Sequence, residues 1–256
     1  MRRLLQVVSV GLAGTTIVAL VTGCAQDSAS KHLRAASELL AKRQRAAARS
    51  EISVAIRVRP SDLEMYLGAM ELYERADMHA DKAEIGETLA RQAGSLEKRL
   101  SRQQLAGLYA LIGRAHWDAK QTDAAEENYA TALRLDPDNA LLLNDFGYFY
   151  AEQSTSLPEA LSMTQEAVRL LPGDGFVMDS LGWVLYKLGR YPAARTALQE
   201  AVALAPDHAE IRYHLGVVYA KLNQRAEARV ELGKALLVDN SLTEARQLLT
   251  ELRKRS

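Results

Sequence analysis

Residues 106–139 read AGLYALIGRAHWDAKQTDAAEENYATALRLDPDN, and the three segments that follow repeat their landmarks. Gly113, Gly147, Gly182 and Gly216 stand 34, 35 and 34 residues apart. Pro137, Pro172 and Pro206 keep spacings of 35 and 34, with Asn240 where the next proline would fall. Ala125, Ala160, Ala194 and Ala228 recur at 35, 34 and 34, as do Ala132, Ala167, Ala201 and Ala235. Four landmarks on one period mark a chain assembled from stacked supersecondary units.

The residues on those landmarks also have a recognisable order. Residues 106–139 carry Tyr109, Ile112, Gly113, His116, Ala125, Tyr129, Ala132 and Pro137. Residues 140–174 carry Phe146, Gly147, Tyr150, Ala160 and Ala167, with one extra residue near Ser154–Pro158. Residues 175–208 give Leu181, Gly182, Ala194, Leu198, Ala201 and Pro206, and residues 209–242 give Leu215, Gly216, Tyr219, Ala228, Leu232 and Ala235. This order resembles the tetratricopeptide repeat. The resemblance implies an all-α fold, a right-handed α-solenoid of stacked helical hairpins with a C-terminal capping helix. Small residues let the two helices of a hairpin approach, large ones fill the holes between hairpins, and the proline ends the second helix.

Upstream the pattern thins. Ala48, Ile52, Ala55 and Pro60 fit the second helix of a repeat, and Tyr66, Tyr73, Ala83 and Ala90 fit another without its glycine and proline. Residues 31–105 are therefore expected to form degenerate hairpins of the same kind. Residues 243–256 read as a capping helix, within an amphipathic stretch Ser241–Ser256 that carries Leu242, Ala245, Leu248, Leu249 and Leu252 on one face.

The first 23 residues read as an address. Arg2 and Arg3 precede an uncharged stretch from Leu4 to Gln26 that ends in Val21-Thr22-Gly23-Cys24. A basic start, an apolar run and small residues before a cut site make a secretory signal. The last four residues resemble the bacterial lipobox, which implies cleavage before Cys24, the chain's single cysteine, and its lipidation. Residues 24–30 would then be a lipidated cysteine and linker. Several acyl chains hold a protein stably at a membrane. Ala25 after the cysteine, by resemblance to Gram-negative sorting, implies the outer membrane facing the periplasm. An uncleaved anchor is the alternative, since about 20 apolar residues suffice to span a bilayer.

Composition narrows the chemistry. Thirty-two basic and 32 acidic residues balance, which lacks the basic excess of nucleic-acid binders. A lone cysteine makes neither an internal disulfide nor a multi-cysteine zinc site. His208 and His214 lack the i, i+4 spacing of a zinc helix, and His116 falls on a core position of the repeat. Leu171-Pro172-Gly173-Asp174-Gly175 is a turn between repeats, not a phosphate loop. No acid, base and nucleophile set converges. No enzymatic activity, cofactor, metal or small-molecule substrate is expected.

The resemblance places a binding groove on the first helix of each repeat. Its inward positions carry over to Arg114 and Trp117, to Asn144 and Tyr148, to Phe176, Asp179, Trp183, Tyr186 and Lys187, and to Tyr213 and Lys221. Both tryptophans, Trp117 and Trp183, are expected to stand open as anchors, since aromatic and arginine side chains dominate interfaces. The expected function is a membrane-anchored adaptor that holds a protein or peptide partner in cell-envelope assembly, pilus biogenesis or secretion. The alternative is a structural spacer that bridges envelope complexes through its convex face or edges.

Overall fold

The computed structural model describes residues 28–254, and among these residues every regular element is a helix. The signal-like residues 1–23 and the lipobox cysteine Cys24 lie outside the described residues. No helix among the described residues is long and apolar enough to cross a membrane. Two compact units divide between Asp136 and Pro137.

The first unit contains α1 (Ser28–Ala41), α2 (Arg45–Val58), α3 (Leu63–Arg75), α4 (His79–Arg91), the single turn α5 (Ala93–Leu96), α6 (Arg102–Asp118) and α7 (Thr122–Leu135). The pairs α1/α2, α3/α4 and α6/α7 are antiparallel hairpins, and α3 packs on α1 as α6 packs on α4. The second unit contains α8 (Ala140–Gln153), α9 (Leu157–Leu170), α10 (Gly175–Lys187), α11 (Tyr191–Leu204), α12 (Ala209–Lys221), α13 (Arg225–Val238) and α14 (Thr243–Lys254). Here the hairpins are α8/α9, α10/α11 and α12/α13, while α8, α10, α12 and α14 lie side by side in one row.

Local chemistry sets the helix ends. The side chain of Asn139 accepts from Leu142 N–H at 3.1 Å, and Asp174 accepts from the amides of Phe176 and Val177. Ser101 and Gln104 form a reciprocal capping box on α6. Second helices stop before proline: Asp136, Leu171 and Ala205 have φ of −141°, −124° and −132°. A following proline pushes its neighbour out of the helical region.

First helices end differently. Lys120, Ser154, Gly189 and Asn223 all have positive φ, and the next residue's N–H reaches back five residues, as from Gln121 to His116 O and from Gln224 to Tyr219 O. This is a left-handed C-terminal cap, closed at three of these turns without glycine.

The hairpins are held by close approach. Gly113, Gly147, Gly182 and Gly216 face Tyr129, Thr164, Leu198 and Leu232, which have no exposed surface. Ala125, Ala132, Ala160, Ala167, Ala194, Ala201, Ala228 and Ala235 are equally buried. The cap α14 buries Ala245, Leu249 and Leu252 against α13 and turns its charged side outward.

A Cβ at Gly182 would lie 2.6 Å from Leu198 Cγ, whereas at Gly233 in α13 it would meet nothing within 4 Å. Gly182→Ala should lower stability by about 1–3 kcal/mol through overpacking. Gly233→Ala should raise it by up to about 1 kcal/mol through helix propensity. Thermal melts of the two variants that moved in the same direction would contradict this packing account.

Candidate partner-docking face

The row of first helices in the second unit carries an aromatic stack built from three of its members. On α10, Trp183 and Tyr186 are one turn apart and their rings stack at 4.7 Å. On α12, His214 also stacks on the indole, 4.1 Å between centroids at an interplanar angle of 19°. Tyr213 and Tyr148 flank the imidazole at 5.7 and 6.4 Å. On α10 the helix period explains the grouping, because residues three or four apart share a face.

Polar groups lock this stack. Trp183 Nε1 donates to Glu152 Oε1 at 2.6 Å from the end of α8. Lys187 Nζ stands 3.6 Å from the same carboxylate and 5.2 Å from the Trp183 ring centroid. His214 Nδ1 meets both oxygens of Asp179 at 2.9 and 3.0 Å. The Tyr148 hydroxyl donates to Glu210 at 3.4 Å.

The electrostatics follow from burial among carboxylates. Burial of His214 works against its charged form, but Asp179, aided by Glu210 and Glu152, overrides it and raises the imidazole pKa. The Tyr148 hydroxyl is pushed up by burial first and then by Glu210, Glu152 and Asp179. Tyr213 is raised by burial and by Glu244, Tyr186, Glu152 and Glu210. Tyr186 is raised by burial and by Tyr191. All these phenols remain neutral hydrogen-bond donors near neutral pH.

Several positions expected to be open are not. Trp183 is only 7% exposed, with Tyr186 and His214 stacked on it and Lys187 over its ring, so it is a built-in part of the surface and not a free anchor. Asn144 and Asp179 are buried as well, Asn144 beside Asp145 and Asp179 beneath His214. Tyr148, Tyr186, Lys187 and Tyr213 are half-buried and Lys221 is exposed. Phe176 sits at the start of α10 with its ring edge-on to His208 at 4.7 Å. His214, absent from the expected set, is the residue that joins α10 to α12. The signal for it was its spacing from Asp179, 35 residues or one repeat away.

Arg114 and Trp117 belong to the first unit. Arg114 donates to Asp118 Oδ1 at 3.0 Å, and its guanidinium lies 4.7 Å from the Trp117 ring centroid, so this tryptophan is half-covered. The other Asp118 oxygen takes Lys82 Nζ at 3.0 Å, and Lys82, buried in α4, also pairs with Glu74. Glu74, His79 and Asp118 bring donor atoms within 4.8 Å of one another. The Lys82 ammonium already stands against two of these three, which makes the group an internally neutralised ion network. His116 is 2% exposed and bonded to Gln121 at 2.6 Å, a core residue of its hairpin.

Fold and face together define a helical-hairpin repeat module with an aromatic, carboxylate-lined surface. A family model described as TPR repeat matches residues 182–223, and one described as tetratricopeptide repeat matches residues 106–139 and 209–242. The chain therefore carries tetratricopeptide repeats. It is similar to TPR repeat-containing protein PA4667 of Pseudomonas aeruginosa, 36% identical over 73 residues. That match covers 28% of this chain and 12% of the relative. Among solved structures, the APC/C hetero-tetramer Cut9-Hcn1 matches with a TM-score of 0.64 at 20% identity. The match covers 98% of this chain and 45% of that one. MamA 41-end from Desulfovibrio magneticus RS-1 matches with a TM-score of 0.54 at 18% identity, over 70% of this chain and 96% of that one. At such identities the likeness is one of fold.

The His214–Asp179 pair gives the second unit a pH signature. A histidine whose folded pKa is raised adds stability that is complete below its unfolded pKa and is lost as pH rises through the folded one. The stability gap between the natural chain and Asp179→Asn should thus be wide near pH ~6 and narrow towards pH ~9. Glu152, Glu210, Tyr148, Tyr213 and Lys187 are the other titratable groups around the pair. Denaturation curves with a gap independent of pH would show that the pair contributes no protonation-linked stability.

Proposed function

We propose that the chain is a non-enzymatic adaptor that docks a protein or peptide segment on the first-helix face of its second unit. The observation that carries this reading is the rigid aromatic stack Tyr186–Trp183–His214, ringed by the half-exposed Tyr148 and Tyr213. Stiff aromatic rings fixed before binding cost little conformational entropy to use and are the residue types that dominate interfaces. In the first unit Arg49 closes on Asp81, and Lys82 on Glu74 and Asp118, as Arg212 does on Glu231 in the second, which suits a scaffold better than turnover.

The lipobox-like Val21–Cys24 supports a further element of the proposal, that the adaptor is tethered by acyl chains at Cys24 in the bacterial envelope, on the outer membrane facing the periplasm. Envelope assembly, pilus biogenesis and secretion are processes such an adaptor would serve. A second reading has its own observation. Val230 and Leu237, seven residues apart on one side of α13, are 53% and 87% exposed, which is what a bridging contact through the outer helices would use.

Two experiments divide these statements. Affinity capture from a crosslinked Gram-negative host should recover a partner set with the natural chain. Tyr213→Ala with Tyr186→Ala should reduce it by about tenfold or more, equivalent to about 1.4 kcal/mol. Loss instead with Val230→Ser and Leu237→Ser, and none with the tyrosine pair, would transfer the contact to the outer helices. Cys24→Ser should move the chain from the membrane fraction to the soluble one and abolish incorporation of labelled fatty acid. Membrane retention of that variant would reject the lipid tether.

A further inference from the structure

The aromatic face of the second unit also indicates the charge of what it receives, an inference that rests on the docking reading above. Three half-buried tyrosines, Tyr148, Tyr186 and Tyr213, stand around the locked stack. Carboxylates from four different helices surround Tyr148, Tyr213 and His214. Glu210 and Glu152 act on Tyr148, Glu244, Glu152 and Glu210 act on Tyr213, and Asp179 lies beneath His214. These groups come from the end of α8, the middle of α10, and the first turns of α12 and α14.

The basic side chains of this face are mostly committed. Lys187 is held by Glu152 and the Trp183 ring, and His214 is held by Asp179. Glu210 and Glu244, one repeat apart at equivalent positions, are exposed and have no ion-pair partner among the described residues. Glu210 receives the Tyr148 hydroxyl, and Glu244 the Thr243 hydroxyl at 3.1 Å, both neutral donors. The face therefore offers electron-rich rings beside uncompensated negative charge. A cation gains from both at once, through the ring quadrupole and through a charge-assisted hydrogen bond. Lys187 over Trp183 already shows such a cation on this surface.

We propose that the face takes up a cationic peptide segment, seating Lys or Arg side chains against the tyrosine rings and the carboxylates of Glu210 and Glu244. An acidic segment would instead meet like charge at Glu210 and Glu244, with Lys221 at the end of α12 the exposed base of the row. Binding of the cationic segment weakens as salt rises, because exposed charges are screened beyond about 8 Å at physiological ionic strength.

The test uses the purified full-length chain on arrays of short synthetic peptides of one neutral background, carrying Lys and Arg, Asp and Glu, or neither. The expected result is retention of the basic peptides, reduced by salt. Glu210→Gln with Glu244→Gln should cut it about tenfold while the helical spectrum and melting temperature hold. The control pair Glu200→Gln and Glu227→Gln, on exposed positions of the second helices, should leave it unchanged. Equal retention of acidic or uncharged peptides overturns the cationic inference and leaves the docking reading in place. Equal losses in the test and control pairs also overturn it, by showing diffuse attraction. Failure to retain any peptide class, with Tyr213→Ala making no difference to captured partners, removes the docking reading itself.

Discussion

The close approach of two helices at one small residue is the constraint on which everything else depends. At Gly113, Gly147, Gly182 and Gly216 the first helix of a hairpin has no side chain, and a bulky or branched residue of the second helix fills the space. Because Leu198 and Leu232 are completely buried there, the spacing within each hairpin is fixed by contact and not by the turn. Interiors packed to this density do not yield by a methyl group without a cost. The turn then has to fit the hairpin, which is why Lys120, Ser154 and Asn223 accept a left-handed conformation that glycine takes more easily.

A fixed hairpin leaves the other side of the first helices free to specialise. In the second unit that freedom is used for an aromatic stack whose members come from α8, α10 and α12. Three of its contacts cross between helices: the indole N–H to Glu152, the imidazole to Asp179, and the indole to the imidazole. Such cross-links hold the rings in place before any partner arrives. The comparable positions of the first unit take another course, with Arg114 over Trp117 and the Lys82 ammonium closing on Asp118 and Glu74. The same backbone thus supports an ionic surface in one unit and an aromatic one in the other.

The hairpins were legible because packing ties small residues to a period, and a period survives in a sequence without any alignment. Ala125 and Ala132 could be read as buried from their recurrence alone, and both are. The helix stops were legible only where proline enforces them. The caps of the first helices were not, since Lys120, Ser154 and Asn223 are ordinary surface residues whose backbone angles are imposed by the packed hairpin. The docking face was half legible. Helix periodicity tells which way a side chain leaves its helix, but not what the neighbouring helix sends to meet it. Trp183 leaves α10 on the expected side and is then covered by Tyr186 and His214, so an open anchor became a wall. His214 was tested against metal-ligand spacing, whereas its partner, Asp179, lies 35 residues away on another helix.

The central claim is that partners meet the first-helix row of the second unit. It is tested most directly by a photo-crosslinking amino acid placed at Tyr213, with a matched placement at Leu237 on α13. Irradiation in living cells should yield a discrete crosslinked product from position 213 and none from position 237. A product from 237 alone would contradict the account and move the binding surface to the outer helices.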